Sequence, residues 1–228
     1  MGRAPKGLWP FAAQAAIFDF DGTLADTAGI WHEVDTVFLQ KRGLQYTEDY
    51  SRRLAALGFA RGAQYTIELY GLSETVDEIC DEWNDMGSEL YRDTVVFRPG
   101  AERYIRALKA AGIPCALATT NDKSVLGNMR KIDVYGLFDA CVHGAEVKRG
   151  KDHPDIYMEA ACRLGVDPKE CLVFEDIVPA LFSAKRAGML ACGVRANDQA
   201  QDIENAREVA DLWLEDWTDI DLRQPFEG

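Results

Sequence analysis

The run Ala15-Ala16-Ile17-Phe18-Asp19-Phe20-Asp21-Gly22-Thr23-Leu24-Ala25-Asp26-Thr27 sets the reading of the whole chain. Its first half is a short apolar stretch that ends in acids and then Gly22, the pattern of a buried parallel strand stopping at a functional loop. On a strand, residues two apart point to the same side, so Asp19 and Asp21 share a face while Phe18 and Phe20 turn into the packing. In an α/β sheet, ligands bind beyond the carboxyl ends of the strands, where these acids fall. Two such carboxylates can hold a hard cation through oxygen ligands. They can also divide labour, one attacking phosphorus and the other exchanging protons with a leaving group. The plain alternative is a pair of acids on a solvated turn. Gly22 permits a sharp turn and close approach of the backbone to a ligand.

Similar apolar runs recur at 115–119, 140–142, 171–175 and 190–194, each predicted to be a short buried strand. Between them, 102–111, 123–132, 155–164 and 178–187 have helical patterns, and Gly112, Gly165 and Gly188 stand where a left-handed stop closes a helix. Strands alternating with helices predict an α/β fold, a doubly wound, Rossmann-like parallel sheet covered on both faces. From Gly29 to Asp93 the alternation fails. There Ile30, Val34, Val37 and Phe38 fall on one helical face, as do Val76, Ile79, Trp83, Met86 and Leu90. A smaller all-helical cap domain over 29–93 is therefore expected, inserted into a core formed by 1–28 and 94–228 and hinged at Ala28-Gly29 and Pro99-Gly100. The acidic tail is expected to add a helix near 201–209 and a last strand at 212–214.

A chain of 228 residues is long enough for one full core and an accessory domain. The formal net charge of −13 repels a phosphate backbone, so no nucleic-acid partner is expected. A small anionic substrate would then need local help from a metal ion, a helix N-terminus, or the basic run Lys148, Arg149, Lys151. The cysteines, Cys80, Cys115, Cys141, Cys162, Cys171 and Cys192, form no CxxC pair and sit mostly in apolar stretches, as reduced cytoplasmic thiols do. Arg3 and Lys6 followed by an apolar run have the outline of a secretion signal. Pro10 interrupts that run and its end leads straight into the first strand, so no cleaved leader is expected. No stretch approaches the roughly 18 apolar residues of a membrane span. A monomer or weak homodimer without membrane contact is the expectation.

Asp19 to Thr27, DFDGTLADT, resembles the first motif of the haloacid dehalogenase superfamily, most of whose members are phosphatases. Later landmarks agree in order and spacing: Thr119 ends an apolar strand, Lys151 follows Gly150 in a loop, and Glu175-Asp176 ends a later strand. The helical insertion is similar to the small C1 cap of subfamily I, which includes enzymes like β-phosphoglucomutase and phosphoglycolate phosphatase. The resemblance implies a Mg²⁺-dependent phosphatase acting on a small metabolite such as a sugar, polyol or glycolate phosphate. It implies Asp19 as the nucleophile that becomes an aspartyl phosphate, and Asp21 as general acid and base. Thr119, Thr120, Asn121 and Lys151 would bind the phosphoryl group. Asp19, the backbone carbonyl of Asp21, Asp176 and, directly or through water, Glu175 would hold the metal. In the cap, Gly58 and Arg61 fall where related caps face the site, and Arg52 or Arg53 is a candidate for a second anionic group.

The chain also departs from the family pattern. Asp152 stands where relatives carry proline after the lysine, His153 precedes Pro154, and Ile177 and Pro179 replace small residues after Glu175-Asp176. In the β-phosphoglucomutase branch a histidine occupies the place of Trp31. Here His32 lies one step further on, turned by roughly 100° around the helix, which argues against a phosphomutase. The presence of Asp21 argues against dehalogenation. The alternative from another class is a non-catalytic binding module on the same scaffold.

Overall fold

Strand β1 (Ala15–Phe18) is apolar and buried at every position, because both of its faces are covered. In the computed structural model, which describes residues 13–222, four helices follow: α1 (Ala28–Gln40), α2 (Glu48–Leu57), α3 (Phe59–Tyr70) and α4 (Val76–Thr94). Then come α5 (Ala101–Ala110), β2 (Cys115–Thr119), α6 (Lys123–Gly127), α7 (Val134–Leu137) and β3 (Ala140–His143). The chain continues through α8 (Asp155–Leu164), β4 (Cys171–Glu175), α9 (Val178–Arg186), β5 (Leu190–Val194), α10 (Ile203–Val209) and β6 (Leu212–Leu214). The six strands form one parallel sheet in the order β3-β2-β1-β4-β5-β6. The order reverses at β1, the place where a doubly wound sheet opens a crevice for ligand.

The period of two along each strand divides the core into two layers. Ala16 and Phe18 join Leu117, Leu172 and Phe174 on one side, under Tyr104 and Leu108 of α5. Ala15 and Ile17 join Ala116, Ala118 and Val173 on the other, under Ile156, Leu181 and Ala206 from α8, α9 and α10. Phe18 stacks on Phe174 at 4.7 Å between ring centroids, and Trp217 packs 5.3 Å from Phe174.

Helices α1–α4 bury a third cluster of their own around Val34, Phe38, Tyr50, Ile79 and Trp83. A capping box between Thr75 and Glu78 starts α4. The far end of α4 returns to the sheet layer through Tyr91 and, just past its end, Val95, so this helix is one of the anchors of the insertion on the core.

The structure corrects several boundaries. The helix expected over 123–132 stops at Gly127, and Asp133 caps a separate short helix by accepting the amide of Gly136; Gly and Asn at 127 and 128 are poor helix formers. Strand β1 ends at Phe18, so Asp19 and Asp21, read as sharing a strand face, stand in the loop beyond it. Val37, read as inward-facing, is 36% exposed while Val34 and Phe38 are buried. Helix α10 starts at Ile203 behind its Asp202 cap. The leader-like stretch up to residue 12 lies outside the described residues. Among the described residues, no helix is long and apolar enough to cross a membrane.

Candidate active site

Asp19 leaves β1 with its amide still bonded to the carbonyl of Phe174 at 3.0 Å, so the sheet fixes where its carboxylate stands. The chain then turns at Gly22 with φ 76°. A Cβ at that position would lie 2.2 Å from Oδ2 of Asp176, so only glycine lets the Asp176 carboxylate sit against this loop. Behind the turn, Arg98 Nη1 donates to the Gly22 carbonyl at 2.9 Å and Trp217 Nε1 donates to the Thr23 carbonyl at 3.0 Å. These bonds brace the loop from the side away from the cavity.

Three chain segments meet beyond β1. Lys151 Nζ donates to both Asp19 Oδ1 and Glu175 Oε1, and the Tyr157 hydroxyl donates to the same Glu175 oxygen at 2.7 Å. Asp19, Lys151 and Glu175 are 3%, 2% and 0% exposed, so the charges interact with little screening by water. One oxygen from each of Asp19, Glu175 and Asp176 lies within 4.8 Å of the others. Burial, reinforced by the neighbouring acids, pushes the Asp19 and Asp176 carboxyls above their usual range, and Lys151 offsets this only in part. Burial alone would lower the Lys151 ammonium, but Asp19 and Glu175 raise it. Three acids thus face one lysine. A set of hard oxygen donors with excess negative charge fits a small divalent cation.

Asp21 is held by four donors. Its Oδ1 accepts from Thr27 Oγ1 at 2.6 Å, Trp31 Nε1 at 3.2 Å and the Tyr91 hydroxyl, and its Oδ2 accepts from Asn121 Nδ2 at 2.6 Å. Burial and the nearby Asp19 raise this carboxyl above its ordinary value, against the pull of those donors. The grip joins helices α1 and α4 to the loop after β2. That loop is set in turn by His143, whose Nδ1–H donates to the Asn121 carbonyl at 2.9 Å.

Between the helical insertion and the strand ends lies a cavity of about 190 Å³. Asp19, Asp21, Gly58, Thr120, Asn121, Lys151, Glu175 and Asp176 all line it. Thr119 stands just behind, fully buried, with its Oγ1 accepting the Asn121 amide at 3.1 Å. Arg61 is not brought in: its guanidinium donates to Asp152 at 3.0 and 3.4 Å, tying α3 to the lysine loop. Arg53 pairs with Asp49 and Arg149 with Asp155, and neither they nor Arg52 line the cavity. His32 turns away and meets Tyr46 edge-on at 4.3 Å, whereas Trp31 faces the cavity against Phe59 at 5.5 Å. The grip by Thr27 and Tyr91 escaped the sequence reading. Thr27 does fall within the first motif, but nothing in the pattern of α4 distinguishes Tyr91 from its core-facing neighbours.

Residues 16–194 match the family of haloacid dehalogenase-like hydrolases. The chain is 30% identical over 177 residues to a phosphorylated carbohydrates phosphatase of Thermotoga maritima, covering 77% of this chain and 82% of that one. It is 32% identical over 214 residues to a bifunctional riboflavin kinase/FMN phosphatase of Arabidopsis thaliana; the match takes in 90% of this chain but only 56% of that longer protein. In fold it is similar to β-phosphoglucomutase from Clostridium difficile, with a TM-score of 0.77 at 23% identity, covering 92% of this chain and 94% of that one.

Proposed function

The chain is a phosphatase of the haloacid dehalogenase-like hydrolase family, and we propose that it hydrolyses a small phosphorylated metabolite through an aspartyl phosphate on Asp19, with Mg²⁺ as cofactor. The observation that carries this reading is the meeting of Asp19, Lys151, Glu175 and Asp176 beyond the central strands, with Asp21 held two residues from the nucleophile. Phosphoryl transfer depends on positioning and charge neutralisation more than on elaborate covalent chemistry.

Asp19 and Asp176 would hold the ion together with the backbone carbonyl of Asp21, while Glu175, already engaged by Lys151 and Tyr157, contributes directly or through water. The bound ion would neutralise phosphoryl oxygens and the excess negative charge of the three acids. An Asp19 oxygen attacks phosphorus, and the bond from phosphorus to the leaving alcohol oxygen breaks. Asp21 gives that oxygen its proton. It then takes a proton from water as the water attacks the aspartyl phosphate, releasing inorganic phosphate and free Asp19. Lys151 stabilises negative charge on Asp19 and on the phosphoryl group. Thr120 and Asn121 position the phosphoryl oxygens, and Thr119, its hydroxyl accepting the Asn121 amide behind the cavity, sets their loop rather than touching the phosphoryl group as expected.

Residues 29–93 act as the cap over a core of 1–28 and 94–228. Their separate hydrophobic cluster and the position of Gly58 and Trp31 on the cavity roof support that division. All six cysteines are unpaired, which supports a reducing cytoplasmic setting. A histidine able to exchange protons is missing from the place of Trp31, whose indole N–H only donates, so transfer to water is favoured over return to a sugar.

The test is turnover of 4-nitrophenyl phosphate with Mg²⁺. Asp19→Asn is expected to lower kcat by on the order of 10³ or more, and EDTA is expected to abolish turnover until Mg²⁺ is restored. A variant Asp19→Asn with the wild-type rate would overturn the mechanism.

A further inference from the structure

Asp35 of α1 takes no part in the chemistry above, yet it lines the same cavity while only 5% exposed. The Ser51 hydroxyl from α2 favours the charged form of its carboxyl, but burial outweighs it and raises the group to about 7 with no basic side chain pulling it back. The titratable groups that feel its charge are Tyr46, Tyr50 and Tyr70. A carboxyl carries about four lone-pair sites, and one serine fills only part of that capacity. Leaving such a group buried and partly unpaired is costly, so its place on a cavity wall points to a ligand that completes it.

The remaining walls say what kind of ligand. Trp31, Phe59 and Trp83 give the roof an apolar, aromatic surface. Among the described residues, Lys151 is the only basic side chain lining the cavity, and it is engaged by Asp19 and Glu175. Asp198 adds a further acid at the wall. A substrate with a second anionic group would meet Asp35 and Asp198 with no counter-charge, whereas a hydroxyl donor would find free acceptor sites.

We propose that Asp35, set by Ser51, selects the alcohol half of the substrate: a neutral, hydroxyl-bearing alcohol of polyol or sugar type that donates a hydrogen bond to Asp35 while the aromatic rings cover its carbon skeleton. The proposal rests on the phosphatase reading above and narrows it, since it excludes glycolate phosphate and bisphosphates.

The experiment compares kcat/KM at pH 8 with Mg²⁺ for glycerol 3-phosphate, 2-phosphoglycolate, phosphoethanolamine and 4-nitrophenyl phosphate. Wild type, Asp35→Leu and Asp35→Asn are assayed on all four. The wild type is expected to favour glycerol 3-phosphate over 2-phosphoglycolate by on the order of 100-fold, and Asp35→Leu to lower the ratio of glycerol 3-phosphate to 4-nitrophenyl phosphate by at least about tenfold. Asp35→Asn, which keeps the shape and one acceptor without the charge, is expected to narrow the gap between glycerol 3-phosphate and 2-phosphoglycolate. Its similar size keeps the test alive should the leucine variant fail to fold. Equal losses on glycerol 3-phosphate and 4-nitrophenyl phosphate, or a wild-type preference for 2-phosphoglycolate or phosphoethanolamine, overturn the proposal while leaving the phosphatase reading intact. A wild type that hydrolyses none of the four overturns both.

Discussion

The residues with the clearest sequence signal are those whose roles depend on backbone position. Asp19, Asp21 and Gly22 are legible because a strand end, a two-residue alternation and a tight turn leave little freedom in where they stand. Lys151 has no such signal alone, since a lysine in a loop is ordinarily solvated; its burial between Asp19 and Glu175 appears only once β4 and the lysine loop are folded together. Arg61 shows the converse. Its position in the cap suggested substrate contact, but the departure at Asp152 supplies a nearer partner. Asp35 had no signal at all, because an acid in a helix normally lies on the wet face. Its buried carboxyl has a consequence for stability. The folded value of about 7 lies above the ordinary 3.8, so between these values the native state binds more protons than the unfolded chain, and stability falls as pH rises through that window. The penalty, complete above pH 7, is on the order of 4 kcal/mol at full strength. Asp35→Asn is expected to remove it, so that urea denaturation shows the variant gaining on wild type from pH 5 to pH 8. Parallel pH curves would contradict this.

Among the elements, the strands were read most closely. The runs at β2, β4 and β5 are short, continuous and apolar, and a strand buried on both faces has no other pattern to offer. Helix ends bounded by glycine were read nearly as well. The failure over 123–132 came from apolar residues that keep a helical spacing while Gly127 and Asn128 break the hydrogen-bond ladder and Asp133 starts a new turn. Strand β1 leads directly into Asp19 and Asp21 and carries the centre of the aromatic packing. Phe18→Ala would remove the ring stacked on Phe174 and is expected to cost about 3–5 kcal/mol, read as a lower urea midpoint with an unchanged slope. A loss below about 1 kcal/mol would mean that the two layers do not depend on this contact.

At the scale of the molecule, the doubly wound sheet and a helical insertion after the first motif followed from the order of elements, whereas the way the insertion sits on the core did not. Three contacts made at this junction are invisible in sequence periodicity. The Lys151 amide donates to the Ala56 carbonyl at 3.0 Å. Gly150 packs so close to α2 that a Cβ there would lie 2.4 Å from the same carbonyl. Arg61 reaches Asp152 across the junction. The helical layer is thereby tied to the loop that carries Lys151, so a shift of one would displace the other. The ion pair is partly exposed and should be worth less than about 1 kcal/mol in global stability. Arg61→Ala is therefore expected to leave the melting temperature nearly unchanged while raising KM severalfold at low salt, an effect that shrinks at high salt; an unchanged KM at every ionic strength would contradict the coupling. The central claim, covalent catalysis by Asp19, is tested most directly by acid-quenching Asp21→Asn during reaction with 4-nitrophenyl phosphate and mapping the phosphoryl group by mass spectrometry. The leaving group needs little protonation, so the first step should proceed while hydrolysis stalls for want of Asp21. The account predicts a hydroxylamine-sensitive phosphoryl group on the peptide containing Asp19; a phosphoryl group on another residue, or none on a variant still releasing 4-nitrophenol, would contradict it.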